Sequence, residues 1–108
     1  MTRTITLATG FASGQTVDLV LGQFTRGWFT IDAVQLTPEN LNAVFEWADS
    51  KPFVENGGVT GLTVFEPTGR NKANWGDWIY RTPGGDFRTR PDGEFRELFT
   101  PAEKETAQ

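Results

Sequence analysis

This 108-residue chain contains no cysteine and no histidine. Without cysteine it has no disulfide framework, no thiol nucleophile and no zinc ribbon, a pattern typical of a cytoplasmic protein. Without histidine it lacks the usual general base near neutral pH, the Ser-His triad and most transition-metal sites. Catalysis would have to rest on carboxylates, lysine, tyrosine or a bound ion. We therefore expect a protein that is not an enzyme and that carries no cofactor.

Long apolar runs are missing as well. No stretch reaches the roughly 18 residues that a membrane span needs, and the first residues alternate instead of forming the apolar run of a signal peptide. We expect a cytoplasmic protein without membrane contact. Nine Phe and four Trp indicate a folded core built from rings, since disordered chains lack aromatics. The length predicts a single domain over residues 1–108.

The net charge of −4 is distributed unevenly. Residues 1–69 contain three basic and seven acidic residues, whereas residues 70–96 contain six basic and four acidic ones. This local excess is far smaller than the clustered charge of a nucleic-acid interface, so nucleic acid is not the expected partner. The carboxylates Asp32, Glu39, Glu46 and Asp49 lack the spacing of an EF-hand or a related motif, and we expect no metal site.

One helix is clearly indicated. Thr37 is a good N-cap, Pro38 suits the first helical position, and Glu39 places negative charge near the positive end of the helix dipole. The apolar face consists of residues spaced at i, i+3, i+4 and i+7, namely Leu41, Val44, Phe45 and Ala48. The pattern predicts a helix over about residues 38–49, ending before Pro52.

Alternation and turn signals predict the strands around this helix. We expect a turn at residues 10–14, a break in the strand pattern at 22–27, a polar loop at 67–72, and a hairpin around 83–85 that pairs 78–82 with 86–90. Asn56-Gly57 is a strong turn signal, and Asp92 is placed to cap one or two helical turns. The fold class is α+β: a small curled, mostly antiparallel β-sheet or open barrel, with the 38–49 helix packed on it.

Three segments resemble a family of small uncharacterised proteins encoded by tailed bacteriophages and prophages. They are the strand-to-helix segment 31–41, the Gly-Asp-Trp-Ile segment 76–79, and the Gly-Asp-Phe and Pro-Asp-Gly-Glu-Phe segments at 85–87 and 91–95. The resemblance covers residues 29–101. Residues 1–28 form a β extension outside it, and we expect 102–108 to be a frayed tail. Trp75 and Asp86 depart from the Pro and Glu that are usual in the family.

The resemblance implies a phage origin and a small β-rich fold, but it carries no established activity and no catalytic residues. If it holds, the protein acts in the host cell cytoplasm. We expect an accessory protein that binds a host protein and modulates growth or defence. A small-ligand binder that sequesters a nucleotide and a virion-associated structural protein are the alternatives.

The residues that suit a binding site combine rings and arginines around the Gly-Asp-Trp segment. Arg88 and Arg90 share a strand face, which together with nearby rings is the composition that contacts phosphates and bases. The structural alternative is a turn in which Gly76 supplies a positive φ and Asp77 bonds the backbone. The candidate binding residues are Trp75, Asp77, Trp78, Tyr80, Arg81, Arg88 and Arg90.

A domain of this size cannot easily bury all thirteen Phe and Trp residues. Rings left outside the core suit a homodimer or a host-protein interface, where Trp and Phe are enriched. The candidate interface residues are Phe24, Trp28 and Trp47.

Overall fold

The computed structural model describes residues 2–8 and 16–102, which form nine strands and two short helices. The strands are β1 (Thr2–Ala8), β2 (Thr16–Arg26), β3 (Phe29–Gln35), β4 (Ser50–Glu55), β5 (Gly58–Glu66), β6 (Gly69–Asn74), β7 (Trp78–Arg81), β8 (Phe87–Arg90) and β9 (Thr100–Pro101). The helices are α1 (Leu41–Trp47) and α2 (Asp92–Leu98). No helix in this part of the chain is long and apolar enough to span a membrane.

The strands form two antiparallel sheets. The main sheet has the order β1-β2-β3-β7-β8, with β9 pairing along β2, and the second sheet has the order β4-β5-β6. The structure confirms the general prediction of a mostly antiparallel β fold with helical segments. In the described residues the strands form two sheets and no barrel, and there are two helices instead of one. The helical turns expected near Asp92 are present as α2, but Pro91 occupies the N-cap position and Asp92 is the first helical residue, so the expected cap at Asp92 is not formed. After β3 the chain forms the second sheet as a separate meander and returns as β7 beside β3, and α2 is a second helix.

The predicted turns at two hairpins are confirmed by their backbone angles. Asn56 and Gly57 have φ of 49° and 80°, the pair of positive values that a tight primed hairpin turn requires. At the β7–β8 hairpin the Gly85 N–H donates to the Thr82 carbonyl at 2.9 Å, and Gly85 has φ of 96°. Glycine accommodates that conformation because it has no Cβ.

Two parts of the strand prediction were wrong. Residues 22–27 do not interrupt the strand, because β2 runs without a break from Thr16 to Arg26. Gly22 serves packing here, since a Cβ at this position would lie 2.9 Å from the Phe24 ring. The expected polar loop at 67–72 lies largely in strand β6, whose hydrophobic pattern is weak because Ala73 is its only apolar side chain.

Helix α1 is shorter than the predicted 38–49. The Thr37 hydroxyl does accept the Asn40 N–H at 3.2 Å, and the Asn40 side chain accepts the Thr37 N–H at 2.9 Å, but these bonds close a turn that precedes the helix. The helix ends at Trp47 because Ala48 is already extended and the chain enters β4 at Ser50. The predicted apolar face is nevertheless the one that packs on the core.

The main sheet carries a different core on each face. One face joins α1 and the second sheet in an aliphatic cluster that includes Leu21, Val34, Leu62 and Ile79. The opposite face carries an aromatic cluster, in which Tyr80 lies beneath rings from α2 and the residue after it, Phe95 and Phe99. Strand alternation separates the two cores, because neighbouring side chains point to opposite faces.

The structure describes only part of the predicted N-terminal extension, residues 1–28, and of the predicted tail, residues 102–108. Strands β1 and β2 of the 1–28 segment belong to the main sheet, while the predicted turn at 10–14 lies outside the described residues. Of the expected frayed tail, Ala102 donates its N–H to the Gln23 carbonyl at 2.9 Å, and residues 103–108 lie outside the described part.

Candidate binding site at the arginine cavity

The most exposed large hydrophobic side chain in the described residues is Trp28, with 94% of its surface accessible. It lies in the two-residue turn that joins β2 to β3, next to Gly27, whose φ is 63°. Its ring meets Phe29 edge to face, with centroids 5.8 Å apart. A tight turn therefore presents a ring that contacts water over almost its whole surface.

A cavity of about 240 Å³ lies beside this turn, on the aromatic face of the main sheet. Its wall carries Arg26, Arg88 and Arg90, and Thr82 and Pro83 also line it. The apolar residues that line it are Phe29, Ile31, Tyr80 and Phe99. We call this feature the arginine cavity.

The strand register explains why the arginines meet there. Arg88 and Arg90 are two residues apart on β8, so both point to the same face, and Arg88 lies opposite Tyr80 on β7. Arg26 comes from the other side, at the end of β2, where it pairs with Phe29. The order β2-β3-β7-β8 thus brings together residues more than sixty positions apart in the sequence.

Arg26, Arg88 and Arg90 differ from Arg3, Lys72 and Arg96, each of which forms an ion pair with a carboxylate. Within residues 2–8 and 16–102, no carboxylate forms an ion pair with Arg26, Arg88 or Arg90, and no residue lining the cavity is acidic. The Nε atom of Arg90 is buried and has no hydrogen-bond partner among the described residues. Chemically, the site offers guanidinium donors beside apolar rings, which suits binding of an anion.

Trp78 does not line the arginine cavity with Arg88 and Arg90 but packs against α2. Its ring stacks on Phe95 with centroids 4.5 Å apart and 7° between the planes, and its Nε1 donates to Asp92 at 2.7 Å. The Arg96 Nε donates to the same carboxylate oxygen at 2.8 Å. The hydrogen bond from Trp78, followed by that from Arg96, lowers the pKa of Asp92. This arrangement anchors α2 on the sheet and leaves Trp78 half-buried.

The Gly76-Asp77 segment forms the turn that the sequence offers as the alternative to a binding site. Gly76 has φ of 91°, and the Asp77 carboxylate accepts the Asn74 N–H at 2.9 Å. Trp75, 37% exposed, lies in the same turn, away from the cavity-lining residues. Neither Trp75 nor Asp77 lines the arginine cavity.

The remaining predicted residues contact rings elsewhere. Arg81 points to the opposite face from Arg88 and lies over Phe87, 5.8 Å from the ring centroid. Trp47 also packs on Phe87, edge to face at 4.9 Å. Phe24 packs against Trp78 and Phe95, with centroid distances of 5.1 and 4.9 Å. Of the three candidate interface residues, Trp28 is the one that stands largely in solvent.

Sequence reasoning missed Arg26, Phe29 and Phe99 as members of the site. Arg26 and Phe29 flank the Gly27-Trp28 turn, so recognition of this turn as a hairpin would have placed them opposite each other. No local signal connects them with Arg88, because that contact depends on the pairing of β3 with β7.

A wider concavity, of about 550 Å³, lies on the outer face of the second sheet. Two of its three basic residues, Lys72 and Arg70, contact other side chains, and the third is Lys51. The Lys72 Nζ lies 2.8 Å from a Glu55 carboxylate oxygen and 4.2 Å from the Phe53 ring centroid, and Arg70 lies over Phe65 at 5.4 Å. The hydrogen bond from Lys72 lowers the pKa of Glu55. This surface therefore offers fewer free cationic donors than the arginine cavity.

The described residues contain no cluster of three or more His, Cys, Asp or Glu side chains that would hold a metal ion. No protein-family model matches the chain, and no curated protein or solved structure is significantly similar to it. The resemblance to phage and prophage proteins accordingly stays a prediction.

Proposed function

We propose that this protein is a non-enzymatic accessory protein that binds a partner protein, with the Trp28 turn as its anchor. The observation that supports the proposal is the 94% exposure of Trp28 on a two-residue turn. Tryptophan is among the residues most enriched at interface hot spots, because its large ring loses much water-exposed surface on binding. A short turn limits the conformational entropy that binding would cost.

The resemblance described above suggests a protein of a bacterial host as the partner and modulation of host growth or defence as the outcome. A cytoplasmic location accords with that proposal. An aromatic residue at a hairpin tip inserts readily into an apolar pocket on another protein. This contact of Trp28 with a partner protein does not require Arg26, Arg88 or Arg90.

The test compares two tryptophans in turns. Affinity capture from host lysate identifies the partner, and calorimetry with the purified partner measures its affinity for the wild type and for Trp28→Ser and Trp75→Ser. We expect Trp28→Ser to weaken binding about 30-fold or more, which corresponds to about 2 kcal/mol. Trp75→Ser is the matched control, because Trp75 also lies in a turn but is only 37% exposed.

Two results would contradict this proposal. If Trp28→Ser binds the partner as tightly as the wild type, the hairpin is not the anchor. If the protein associates only with assembled virions, it is a virion-associated structural protein instead. Sizing of the purified protein at several concentrations shows whether Trp28 instead joins two copies of this chain.

A further inference from the structure

The arginine cavity concentrates positive charge in a chain that is acidic overall. The chain has fourteen Asp and Glu residues against ten Lys and Arg, so carboxylates are available as partners. Arg3 pairs with Asp32 at 3.1 Å, and Arg96 pairs with Asp92 at 2.8 Å. Like charges that share a cavity repel one another, so an anionic occupant would stabilise this arrangement.

The donors in the cavity match phosphate oxygens. A guanidinium group presents several N–H donors in a fixed planar fork, and it binds phosphate through paired, charge-assisted hydrogen bonds. Arg90 contributes a buried Nε without a partner among the described residues. Because solvent does not reach this Nε atom, the terminal N–H groups of the three guanidinium groups are the donors that we assign to the phosphate oxygens.

Rings lie next to the cationic wall. Phe29 lines the cavity, and the exposed Trp28 ring is in edge contact with Phe29. A volume of about 240 Å³ is below the size usual for an enclosed organic ligand. It suits phosphate groups and part of a sugar, with a planar base outside the cavity on the free face of Trp28.

We propose that the arginine cavity binds the phosphate groups of a nucleotide, with the base against Trp28. Trp28 is shared with the proposed protein contact, but the phosphate part of the site is separate from it, because it uses Arg26, Arg88 and Arg90, which the protein contact does not require. Binding is reversible and involves no covalent step.

Three ligands of graded structure test the proposal. Isothermal titration and thermal-shift measurements of the intact protein use inorganic phosphate, pyrophosphate and ADP. We expect ADP to bind more tightly than pyrophosphate and pyrophosphate more tightly than phosphate, with a Tm that rises with ligand concentration. Added salt should weaken all three, since the attraction is electrostatic.

Substitutions separate the two parts of the site. Arg88→Gln and Arg90→Gln should each weaken ADP and pyrophosphate about tenfold or more, without lowering the Tm of the free protein. Arg70→Gln is the matched control, because Arg70 lies on the outer face of the second sheet. Trp28→Ser should bring the ADP affinity down to that of pyrophosphate and leave pyrophosphate unchanged.

Three outcomes would overturn the inference. Absence of binding by all three ligands would remove the anion site. Equal affinity for ADP and pyrophosphate in the wild type would remove the nucleotide assignment. A Tm of free Arg88→Gln and free Arg90→Gln well below wild type would show that these arginines support the fold. A host partner that still binds Arg88→Gln would leave the proposed function intact in each case.

Discussion

The two faces of the main sheet are buried in different ways. On the aliphatic face, Leu21, Val34 and Ile79 are at most 6% exposed and lie beneath both α1 and the second sheet. On the aromatic face, the described residues that cover the strands come chiefly from the seven-residue helix α2 and from Phe99. A short cover leaves part of that face open, and the arginine cavity lies there.

The side chains of the two faces differ along with their covers. Aliphatic groups present no polar atoms and need only close packing. The aromatic face includes Trp78, whose Nε1 is satisfied by Asp92, and ends in arginines without carboxylate partners among the described residues. The proposed binding site therefore lies on the face that is incompletely covered, and the closed face serves stability.

The strongest test of this division is Phe95→Ala. Phe95 is fully buried and contacts the rings of Phe24, Trp78, Tyr80 and Phe99. We expect a loss of about 3–5 kcal/mol in the free energy of unfolding, measured by urea denaturation. Ile79→Ala on the opposite face should cost about 2–5 kcal/mol. A loss below about 1 kcal/mol for Phe95→Ala would show that the aromatic face is not a true core.

A second test concerns the cover of the aliphatic face. A Cβ at Gly61 of β5 would lie against the Ala73 carbonyl oxygen, well inside van der Waals distance, so Gly61→Ala must displace β6. We expect a destabilisation of about 1–3 kcal/mol by urea denaturation. Gly58→Ala in the same strand is the control, since its Cβ would meet nothing closer than 4.0 Å. Equal stability of the two variants would contradict the close approach of these strands.

Acid should affect the anchor of α2 on the aromatic face. The pKa of Asp92 is lowered in the fold from its ordinary value of 3.8, so the folded state favours the ionised carboxylate. Its stabilisation is complete above the ordinary pKa and is lost as pH falls through the lower, folded pKa. Thermal unfolding between about pH 6 and pH 2.5 should show Asp92→Asn losing less Tm on acidification than the wild type.

The matched control for the pH series is Glu55→Gln. The pKa of Glu55 is also lowered, by Lys72, but Glu55 lies in the second sheet and away from α2. Each variant should remove its own share of the acid sensitivity. An Asp92→Asn profile that runs parallel to that of the wild type would show that the Trp78–Asp92 contact is not formed in solution.

The smallest expected effect is that of Trp28→Ser on stability. Because Trp28 is almost wholly in water and contacts only Phe29 among the described rings, the free energy of unfolding should change by less than about 0.5 kcal/mol. Urea denaturation measures this change. A loss above about 1 kcal/mol would assign Trp28 to the aromatic core and weaken its interpretation as an anchor.

Local signals explain what could be predicted from the sequence. The Asn56-Gly57 turn, the β7–β8 hairpin and the apolar face of α1 depend on residues within a few positions of one another, and all are observed. Their physical causes, positive φ in a tight turn and helical periodicity, can be read directly from the amino-acid sequence.

What could not be predicted depends on distant pairing. The polar strand β6 is held by its partner β5 and has little hydrophobic pattern of its own. Arg81 and Arg88 look equivalent in sequence, yet alternation sends them to opposite faces of the β7–β8 pair. The role of Arg26 requires knowledge that β3 pairs with β7 across the inserted second sheet.

The pairing of β9 with β2 has a consequence for how the chain folds. Thr25 and Thr100 are joined by a hydrogen bond across 75 positions of sequence, and β9 closes alongside a strand that already pairs with β1 and β3. Contacts of such long separation carry a large loop-closure entropy and form slowly. During synthesis β2 cannot gain this edge partner before residues 100–101 emerge, so the part of the cavity wall that Phe99 forms cannot be completed before then.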